Sequence, residues 1–394
     1  MSETTVMTVV SPSTYTALSK ALLGQENAIP WHQFTTEDWK EFVSSALAER
    51  VAPLLCYGFR HRGWPAEMPE HIRQLLLKEF YNAVANASLM FRELEHVLAE
   101  LEKNNIQVVL LKGSALALTL YPHIALRPMA DLDLLIRLPD LSAAIEVVEA
   151  IAYVPENPPM RRRLHHLFFY ETNFRGGDRA LTQLELHWDL VGGADSRYRP
   201  DIDWFWDQTK TIRIGNISTL ILSPTAYLLH AAVHVSLKHG GEETRLLWLY
   251  DLHLLITQCQ DLDWKLLIKK AKEFHWLPVV EAVLNELTRK FSTSFPAWIF
   301  DACAHENDTQ TRLLVQQMAA ARHTRTTGML AHLAFLSRPA RIRWLAAVVF
   351  PDPEYMRWRY RPRPMWLWPG CYFVRWADMA RDAIGSLGRY MRTA

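Results

Sequence analysis

The chain is poor in glycine, and it contains no long apolar run. Glycine accounts for only 15 of the 394 residues, whereas tryptophan also reaches 15 and aromatic residues make up 11% of the chain. This composition favours packed helices over an all-β protein with many glycine turns. No stretch of about 18 consecutive apolar residues occurs, which predicts a chain without a transmembrane helix.

Cysteine is also scarce, and its spacing excludes two kinds of site. The four cysteines form no CxxC pair, which argues against a zinc ribbon and against a disulfide framework; they are Cys56, Cys259, Cys303 and Cys371. The first residues, MSETTVMTVVSPSTY, lack the basic stretch and the following apolar stretch of a secretory signal. We therefore expect buried, reduced thiols in a soluble, cytoplasmic protein.

Signature motifs of several enzyme classes are absent. The sequence contains no GxxxxGK[ST], no GxGxxG, no HExxH and no His-Asp dipeptide. These absences argue against a P-loop ATPase, a dinucleotide enzyme, a zinc site of the HExxH type and an HD-type phosphohydrolase. His230 and His234 have the spacing of zinc-binding helices, but without the accompanying glutamate we expect core or interface histidines.

Charge is balanced over the whole chain but not along it. Lysine and arginine number 43 against 42 acidic residues, so the chain as a whole lacks the charge signature of a nucleic-acid-binding protein. From residue 338 to the end, however, eleven arginines face four carboxylates, a local net charge of +7 that leaves −6 for residues 1–337. Any basic partner surface is therefore expected in this C-terminal segment.

Helical periodicity dominates the first hundred residues. Apolar side chains recur at helical spacing from Trp39 to Leu47 and from Leu94 to Leu101. Thr35 with Asp38 predicts a capping box at the first of these helices. Asn104-Asn105 then indicates a turn.

Strands and helices alternate after that turn, and helical periodicity returns after the capping pair Ser223-Pro224. The pattern predicts an α+β fold: a small mixed β-sheet core at residues 105–222, flanked by helical regions at 1–104 and 223–394. The predicted strands cover residues 106–111, 131–136, 167–174, 181–188, 211–214 and 218–222. The predicted helices of the core and of the C-terminal region cover residues 114–121, 141–152, 224–238, 245–258, 264–275 and 309–322.

The pair Asp131 and Asp133 is the most informative feature of the sequence. In a strand, residues two apart point to one face, so both carboxylates share a face while Leu132 and Leu134 point away. Two clustered carboxylates need a cation, and Mg²⁺ takes oxygen ligands of this kind while leaving positions for phosphate oxygens. Taken alone, the same pattern also fits a solvated strand edge with no ligand.

The residues upstream favour a phosphate site. A predicted strand ends at Lys112-Gly113-Ser114, where a helix begins. Backbone N–H groups at a helix start, with a small residue allowing close approach, bind phosphate, and the Ser114 hydroxyl adds a donor. Lys112 and Arg127 are cations able to bind triphosphate oxygens, although surface charges or structural salt bridges remain an equal alternative for both.

A third carboxylate follows on a later predicted strand. In Gln183-Leu184-Glu185-Leu186-His187 the polar residues alternate with apolar ones and share one face. If this strand lies beside the one that carries Asp131, Glu185 completes the metal cluster or takes a proton from an acceptor hydroxyl. The alternative is an exposed polar strand face.

Together these residues resemble a known family. A strand, Gly-Ser at the head of a helix, D-x-D on the next strand and a later single carboxylate resemble the DNA polymerase β-like nucleotidyltransferase superfamily. More narrowly, the chain resembles the bacterial family of uncharacterised nucleotidyltransferases over residues 90–260; the segments that carry this are Leu111-Lys112-Gly113, Tyr121-Pro122, Arg127-Pro128-Met129-Ala130-Asp131-Leu132-Asp133, Glu185-Leu186-His187-Trp188 and Leu247-Trp248-Leu249-Tyr250-Asp251-Leu252. Sixteen residues lie between Ser114 and Asp131, more than the superfamily usually has, a longer insert that the narrower family shares.

The resemblance implies transfer of an NMP group from an NTP such as ATP to a hydroxyl or amine. It implies that Gly113 and Ser114 hold NTP phosphates and that Asp131, Asp133 and Glu185 hold two Mg²⁺ ions. Two further residues, His187 and Asp251, are candidates for the acceptor side. The acceptor, whether a small molecule, a peptide, a protein or an RNA end, is left open.

Two alternative functions remain at this stage. The first is a catalytically silent binding or scaffold protein with the same fold, although clustered like charges have no evident purpose in such a protein. The second is another phosphoryl or glycosyl-phosphate transfer on the same site.

Arginines and aromatic residues interleave in the segment from Arg357 to Trp368. This composition fits contact with RNA or with an anionic membrane surface. It fits equally well a set of arginines packed on tryptophan rings of the helical core.

Overall fold

The fold is that of a computed structural model, which describes residues 12–156, 160–161, 164–176, 182–191, 198–238, 244–304, 309, 311–313, 333, 336, 338–362 and 364–393. Its α-helices are α1 (Pro12–Leu22), α2 (Thr36–Ala48), α3 (Ala52–Arg62), α4 (Glu70–Lys103), α5 (Lys112–Thr119), α6 (Leu141–Ala150), α7 (His165–Phe168), α8 (Ile202–Asp207), α9 (Pro224–Val233), α10 (Leu246–Gln258), α11 (Trp264–Glu273), α12 (Leu277–Phe291), α13 (Trp298–Ala304), α14 (Arg338–Val349), α15 (Pro353–Tyr360) and α16 (Cys371–Thr393). Its strands are β1 (Val108–Leu110), β2 (Asp131–Ile136), β3 (Tyr153–Pro155), β4 (Glu171–Gly176), β5 (Gln183–His187), β6 (Thr209–Ile214) and β7 (Ile217–Leu222).

The strands form one seven-stranded mixed sheet in the order β3-β4-β5-β2-β1-β7-β6. The pairs β5/β2 and β1/β7 are parallel and the other four are antiparallel. Parallel neighbours need a crossover connection, whereas β6 and β7 are joined by the predicted hairpin turn at Gly215, whose φ of +56° suits glycine. The mixed sheet with flanking helices confirms the predicted α+β fold.

Helices that precede the strands in the sequence and helices that follow them share one hydrophobic core with the sheet. A single cluster of buried side chains runs from Ala17 on α1 through the sheet to Cys303 on α13. The long helix α4 packs against α3, α6 and β7, and the capping box of Thr35 and Asp38 that starts α2 is present as predicted. The expected division at residues 104 and 222 stays a prediction.

Two sequence-based predictions need correction, and one helix is absent from the predictions. The strand predicted at 167–174 is wrong in its first half, because residues 165–168 form the short helix α7. Its Phe168 is buried in a second, separate core cluster that also contains Trp344. Helix α5 begins at Lys112, two residues earlier than predicted. Helix α12 was not predicted, and most of the helix predicted at 309–322 lies outside the described residues.

Helix α9 also ends earlier than its pattern predicts. The Ser223 hydroxyl caps it by accepting from the Ala226 N–H, but regular α-helix stops at Val233 and residues 234–238 form a π-helical turn. π-Helical turns are rare in proteins, and those that occur are often found at functional sites. Among the described residues, no helix has both the length and the apolar composition needed to cross a bilayer.

Candidate functional site

Three carboxylates come together on neighbouring central strands. Strands β2 and β5 pair in parallel with Asp133 opposite Glu185, so the two side chains share one face of the sheet. Asp131 lies two residues before Asp133 on that same face. The adjacency of these strands, on which the prediction for Glu185 depended, is therefore present. We call Asp131, Asp133 and Glu185 the carboxylate cluster.

The ammonium group of Lys112 lies within this cluster. Its Nζ is 2.5 Å from Oδ1 of Asp133 and 3.2 Å from Oε2 of Glu185. Lys112 begins α5 directly after β1, with a φ of +47° that is uncommon for a residue with a side chain. The preceding Leu111 N–H donates to the Asp133 carbonyl, which fixes this turn against β2.

Burial and mutual repulsion raise the pKa of Asp131 to about 6. Burial is the largest cause, the charges of Asp133 and Glu185 add to it, and the charge of Lys112 opposes it. A carboxylate in this condition is stabilised by any further cation that approaches it.

His187 lies behind the carboxylate cluster and is 1% exposed. Its Nε2 is 3.1 Å from Oδ1 of Asp133 and 3.3 Å from Oε2 of Glu185, and its Nδ1 is 3.5 Å from a carboxylate oxygen of Glu171. Burial and the charge of Lys112 lower the pKa of His187, but these carboxylates outweigh them and leave the pKa above its ordinary value. His187 therefore helps to fix the orientation of the Asp133 and Glu185 carboxylates.

The donor set fits a divalent cation. Ligand atoms of Asp133, Glu185 and His187 all lie within 4.8 Å of one another, and two of the three are carboxylates, which hard cations prefer. Asp131 is not part of this compact group, although its side chain lines the same cavity. Two of the three predicted ligands, Asp133 and Glu185, are thus close together. The third member of the compact group is His187, which the sequence suggested only for the acceptor side.

Gly113 is required by close packing. A Cβ placed there would lie 2.3 Å from Nη1 of Arg127 and 2.7 Å from Cγ of Met129. The neighbouring Ser114 is buried, and its hydroxyl donates to the Leu111 carbonyl at 3.1 Å. Gly113 lines the cavity, whereas Ser114 is not among the lining residues. A phosphate contact from the Ser114 hydroxyl stays a prediction.

Arg127 and Asp251 form a buried ion pair. Nη2 and Nε of Arg127 are 2.8 Å and 3.2 Å from Oδ2 of Asp251, and the Tyr121 hydroxyl donates to Oδ1 at 2.7 Å. Burial lowers the pKa of Arg127, but Asp251 outweighs this and raises it above its ordinary value. Two residues predicted for different roles, nucleotide binding and acceptor binding, thus hold each other beside the cavity.

The cavity in front of the carboxylate cluster has a volume of about 270 Å³. Arg50, after α2, and Arg245, before α10, line it as well. The Leu246 N–H donates to Oε2 of Glu49 at 2.5 Å, which ties the end of α2 to the start of α10. We call Arg50 and Arg245 the arginine pair.

Within the described part of the chain, the guanidinium groups of the arginine pair have no carboxylate within salt-bridge distance. Arg245 lies over the Trp248 ring at 5.1 Å. Burial and repulsion by Arg245 lower the pKa of Arg50, while the charge of Asp131 opposes that shift. Among the described residues the arginine pair thus has no ion-pair partner, which makes this part of the cavity suited to a polyanion.

Sequence reasoning missed the arginine pair and the rest of this wall. Tyr227, His230 and His234 on α9 and its π-helical turn also line the cavity. Nothing in the local sequence around Arg50 or Arg245 signals a site, because these two residues come together only through the tertiary contact between Glu49 and the Leu246 N–H. The sequence shows the i, i+4 spacing of His230 and His234, but nothing in it relates these histidines to the carboxylates.

Comparison with known proteins adds a family. The sequence model of a family described as uncharacterised nucleotidyltransferase matches residues 35–290, a span that includes every residue of the cavity described above. A crystal structure of an antigenic nucleotidyltransferase-like protein from Paracoccidioides brasiliensis is 13% identical and superposes with a TM-score of 0.33, covering 56% of this chain and 94% of that one. No protein with curated annotation matches the chain.

Proposed function

The chain belongs to the family of uncharacterised nucleotidyltransferases, and we propose that its cavity transfers an NMP group from an NTP to a hydroxyl or amine of an acceptor. The observation that carries this proposal is that one cavity is lined by the carboxylate cluster and by the arginine pair, which has no ion-pair partner among the described residues. Such a cavity can hold a cation and a polyphosphate together. The placement in the polymerase β-like superfamily is part of the same proposal.

The bond changes define the chemistry that the site must support. The acceptor oxygen or nitrogen attacks the α-phosphorus, the bond from the α-phosphorus to the α,β-bridging oxygen breaks, and pyrophosphate leaves. Glu185, half-buried and facing the cavity, is the proposed recipient of the acceptor proton. Catalysis of this kind depends mainly on positioning and on neutralising charge.

Asp133 and Glu185, with Asp131 beside them, are the proposed holders of divalent cations, with Mg²⁺ the first candidate. Bound there, a divalent cation supplies neutralisation of phosphate charge and activation of the attacking group. His187 fixes the orientation of two of these carboxylates through its Nε2. Lys112 supplies a positive charge to the same carboxylates from the protein itself.

The arginine pair is the proposed site of the β- and γ-phosphates. Guanidinium groups bind phosphate oxygens through paired N–H donors, and these two have no competing carboxylate among the described residues. Gly113 presents backbone to the same cavity at the start of α5, where N–H groups favour an anion. Arg127, held by Asp251, adds a further positive charge to the wall of this cavity.

A labelling experiment tests the proposal. The protein is incubated with Mg²⁺, a cell extract as the source of acceptor, and each NTP carrying a radioactive label either at the α- or at the γ-phosphate. We expect the α-label in a product of higher mass and the γ-label in pyrophosphate, with both lost in Asp131→Asn/Asp133→Asn. Transfer of the γ-label would instead establish phosphoryl transfer, and no wild-type transfer at all would favour the scaffold alternative.

A further inference from the structure

The C-terminal helices expose an unusual amount of apolar surface. Of the sixteen large hydrophobic side chains that are exposed in the described residues, nine lie between residues 342 and 376. They are Ile342, Leu345, Phe350, Met365, Trp366, Leu367, Phe373, Val374 and Trp376, which we call the C-terminal apolar surface. The three most exposed of all, Ile342 at 72%, Trp366 at 72% and Phe373 at 70%, belong to it.

Aromatic contacts hold much of this surface in place. The Trp376 ring lies 5.6 Å from the Phe350 ring and 5.4 Å from the Phe373 ring, and its indole N–H donates to the Val349 carbonyl at 3.0 Å. Helix α16 and the turn that contains Trp366 pack against each other. The apolar side chains therefore project from a folded scaffold.

Arginines are interspersed along the chain with the apolar side chains of this surface. Where burial is described for this part, the exposed arginines are Arg338, Arg341, Arg343, Arg357, Arg359, Arg361 and Arg381. Arg375 differs, because it is 4% exposed and its Nε donates to the Val348 carbonyl within the scaffold. Residues 338–394 carry a net charge of +7, whereas the rest of the chain carries −6, so an anionic partner is attracted to this end of the sequence specifically.

The chemistry of the exposed side chains distinguishes between anionic partners. RNA bases stack on aromatic rings, but they gain little from aliphatic groups such as Ile342, Leu345 and Val374. Acyl chains at a bilayer interface accommodate both kinds, and tryptophan and arginine are favoured at that depth. A second copy of the chain would bring together two segments that each carry a net charge of +7, which is unfavourable.

We propose that the C-terminal apolar surface and its arginines bind the interface of an anionic lipid bilayer, reversibly and without crossing it. The apolar and aromatic side chains enter the boundary between headgroups and acyl chains, and the arginines contact lipid phosphates. This inference is independent of the nucleotidyltransferase proposal, because none of its residues lines the cavity.

Sedimentation with vesicles tests the inference on the full chain. Phosphatidylcholine vesicles with about a third phosphatidylglycerol are compared with pure phosphatidylcholine vesicles, at low and at high salt. We expect binding to the anionic vesicles only, with at least a tenfold loss, roughly, when salt rises from low to high. Equal binding to both vesicles, or binding to neither, would overturn the inference.

Matched variants connect the binding to the surface. Trp366→Ser/Phe373→Ser is expected to weaken vesicle binding by about tenfold or more, whereas Tyr81→Ser, which removes a ring 58% exposed on α4, leaves it unchanged. Arg338→Gln/Arg359→Gln is also expected to weaken vesicle binding, in this case through lost charge. Arg213→Gln/Lys265→Gln is the charge-matched control. Thermal unfolding verifies that each variant is folded.

Two further outcomes would contradict the inference. One is tight binding of a single-stranded RNA by a protein that does not bind the vesicles, with loss of RNA binding in Trp366→Ser/Phe373→Ser. The other is a concentration-dependent dimer that the same variant abolishes. Either result would assign the surface to a different partner.

Discussion

Lys112 places its ammonium group 2.5 Å from a carboxylate oxygen of Asp133, and both side chains are largely buried. This ion pair matters because the same ammonium also contacts Glu185. The protein thus supplies one positive charge of its own to a cluster of three carboxylates. Burial, together with repulsion by Asp133 and Glu185 that the one charge of Lys112 does not cancel, raises the pKa of Asp131 to about 6.

The first prediction concerns this internal cation. Lys112→Met is expected to destabilise the metal-free protein by about 3 kcal/mol, because it leaves buried carboxylates without a partner. The same change is expected to strengthen Mg²⁺ binding about tenfold, because it removes a cation that competes for the same carboxylates; a tenfold change corresponds to about 1.4 kcal/mol of binding free energy. Chemical denaturation and calorimetry measure the two effects. Lys265→Met on the exposed face of α11 is the control, and unchanged Mg²⁺ affinity in Lys112→Met would contradict the account.

The second prediction separates stability from activity at Asp131. Asp131→Asn is expected to reduce nucleotidyl transfer by at least about a hundredfold. It is also expected to stabilise the metal-free protein at pH 7.5 by on the order of 2 kcal/mol, because the charged carboxylate is disfavoured in the folded state. Thermal unfolding without Mg²⁺ measures the gain, with Asp207→Asn at the exposed end of α8 as the control.

The pH dependence of that gain follows from the sign of the shift. The pKa of Asp131 is 3.8 in the unfolded chain and about 6 in the folded one, so the folded state binds the proton more tightly. The penalty is absent below pH 4, grows as pH rises from 4 to 6, and is constant above that. The stabilisation by Asp131→Asn is therefore expected to vanish at pH 4; a gain that is equal at both pH values would refute this cause.

The third prediction concerns the packing under the phosphate site. Gly113→Ala places a Cβ 2.3 Å from Nη1 of Arg127, so the arginine or the turn must shift. We expect a loss of about 2 kcal/mol in unfolding free energy and at least a tenfold loss, roughly, in NTP affinity. Gly370→Ala is the matched control, because a Cβ there meets nothing within 4 Å. Wild-type NTP affinity in a folded Gly113→Ala protein would be inconsistent with the proposed site.

The fourth prediction tests the arginine pair. Arg50→Gln and Arg245→Gln are each expected to weaken NTP binding about tenfold through lost charge-assisted hydrogen bonds to phosphate. The corresponding nucleoside, which has no phosphate, should bind equally to both variants and to the wild type. Arg213→Gln on the exposed face of β6 serves as the control. An equal loss for nucleoside and triphosphate would point to a structural role of the pair instead.

The sequence was sufficient for the carboxylate strand but not for its surroundings. Asp131–Ile136 was predicted with its observed ends because buried aliphatic residues alternate there with the two carboxylates. The prediction for Glu185 holds only if β5 lies beside β2, and local sequence does not determine this, because strand order depends on contacts between distant segments. The resemblance to a family supports this adjacency of β2 and β5, about which the local sequence pattern gives no information.

Other parts of the site could not be predicted from local pattern. Arg50 and Arg245 meet because Glu49 accepts the Leu246 N–H, a contact between segments far apart in the chain. The first half of the strand predicted at 167–174 was wrong because tertiary packing of Phe168 overrides its β propensity. The contacts of His187 with Asp133 and Glu185 also depend on the pairing of distant strands, and its predicted place on the acceptor side stays a prediction.

Calorimetric titration of the protein with each NTP, with and without Mg²⁺, tests the central claim most directly. The account predicts that at least one NTP binds, that Mg²⁺ strengthens this binding, and that Asp131→Asn/Asp133→Asn removes the Mg²⁺ effect while the protein remains folded. Binding that is the same with and without Mg²⁺ in both proteins, or no binding of any NTP by the wild type, would contradict it.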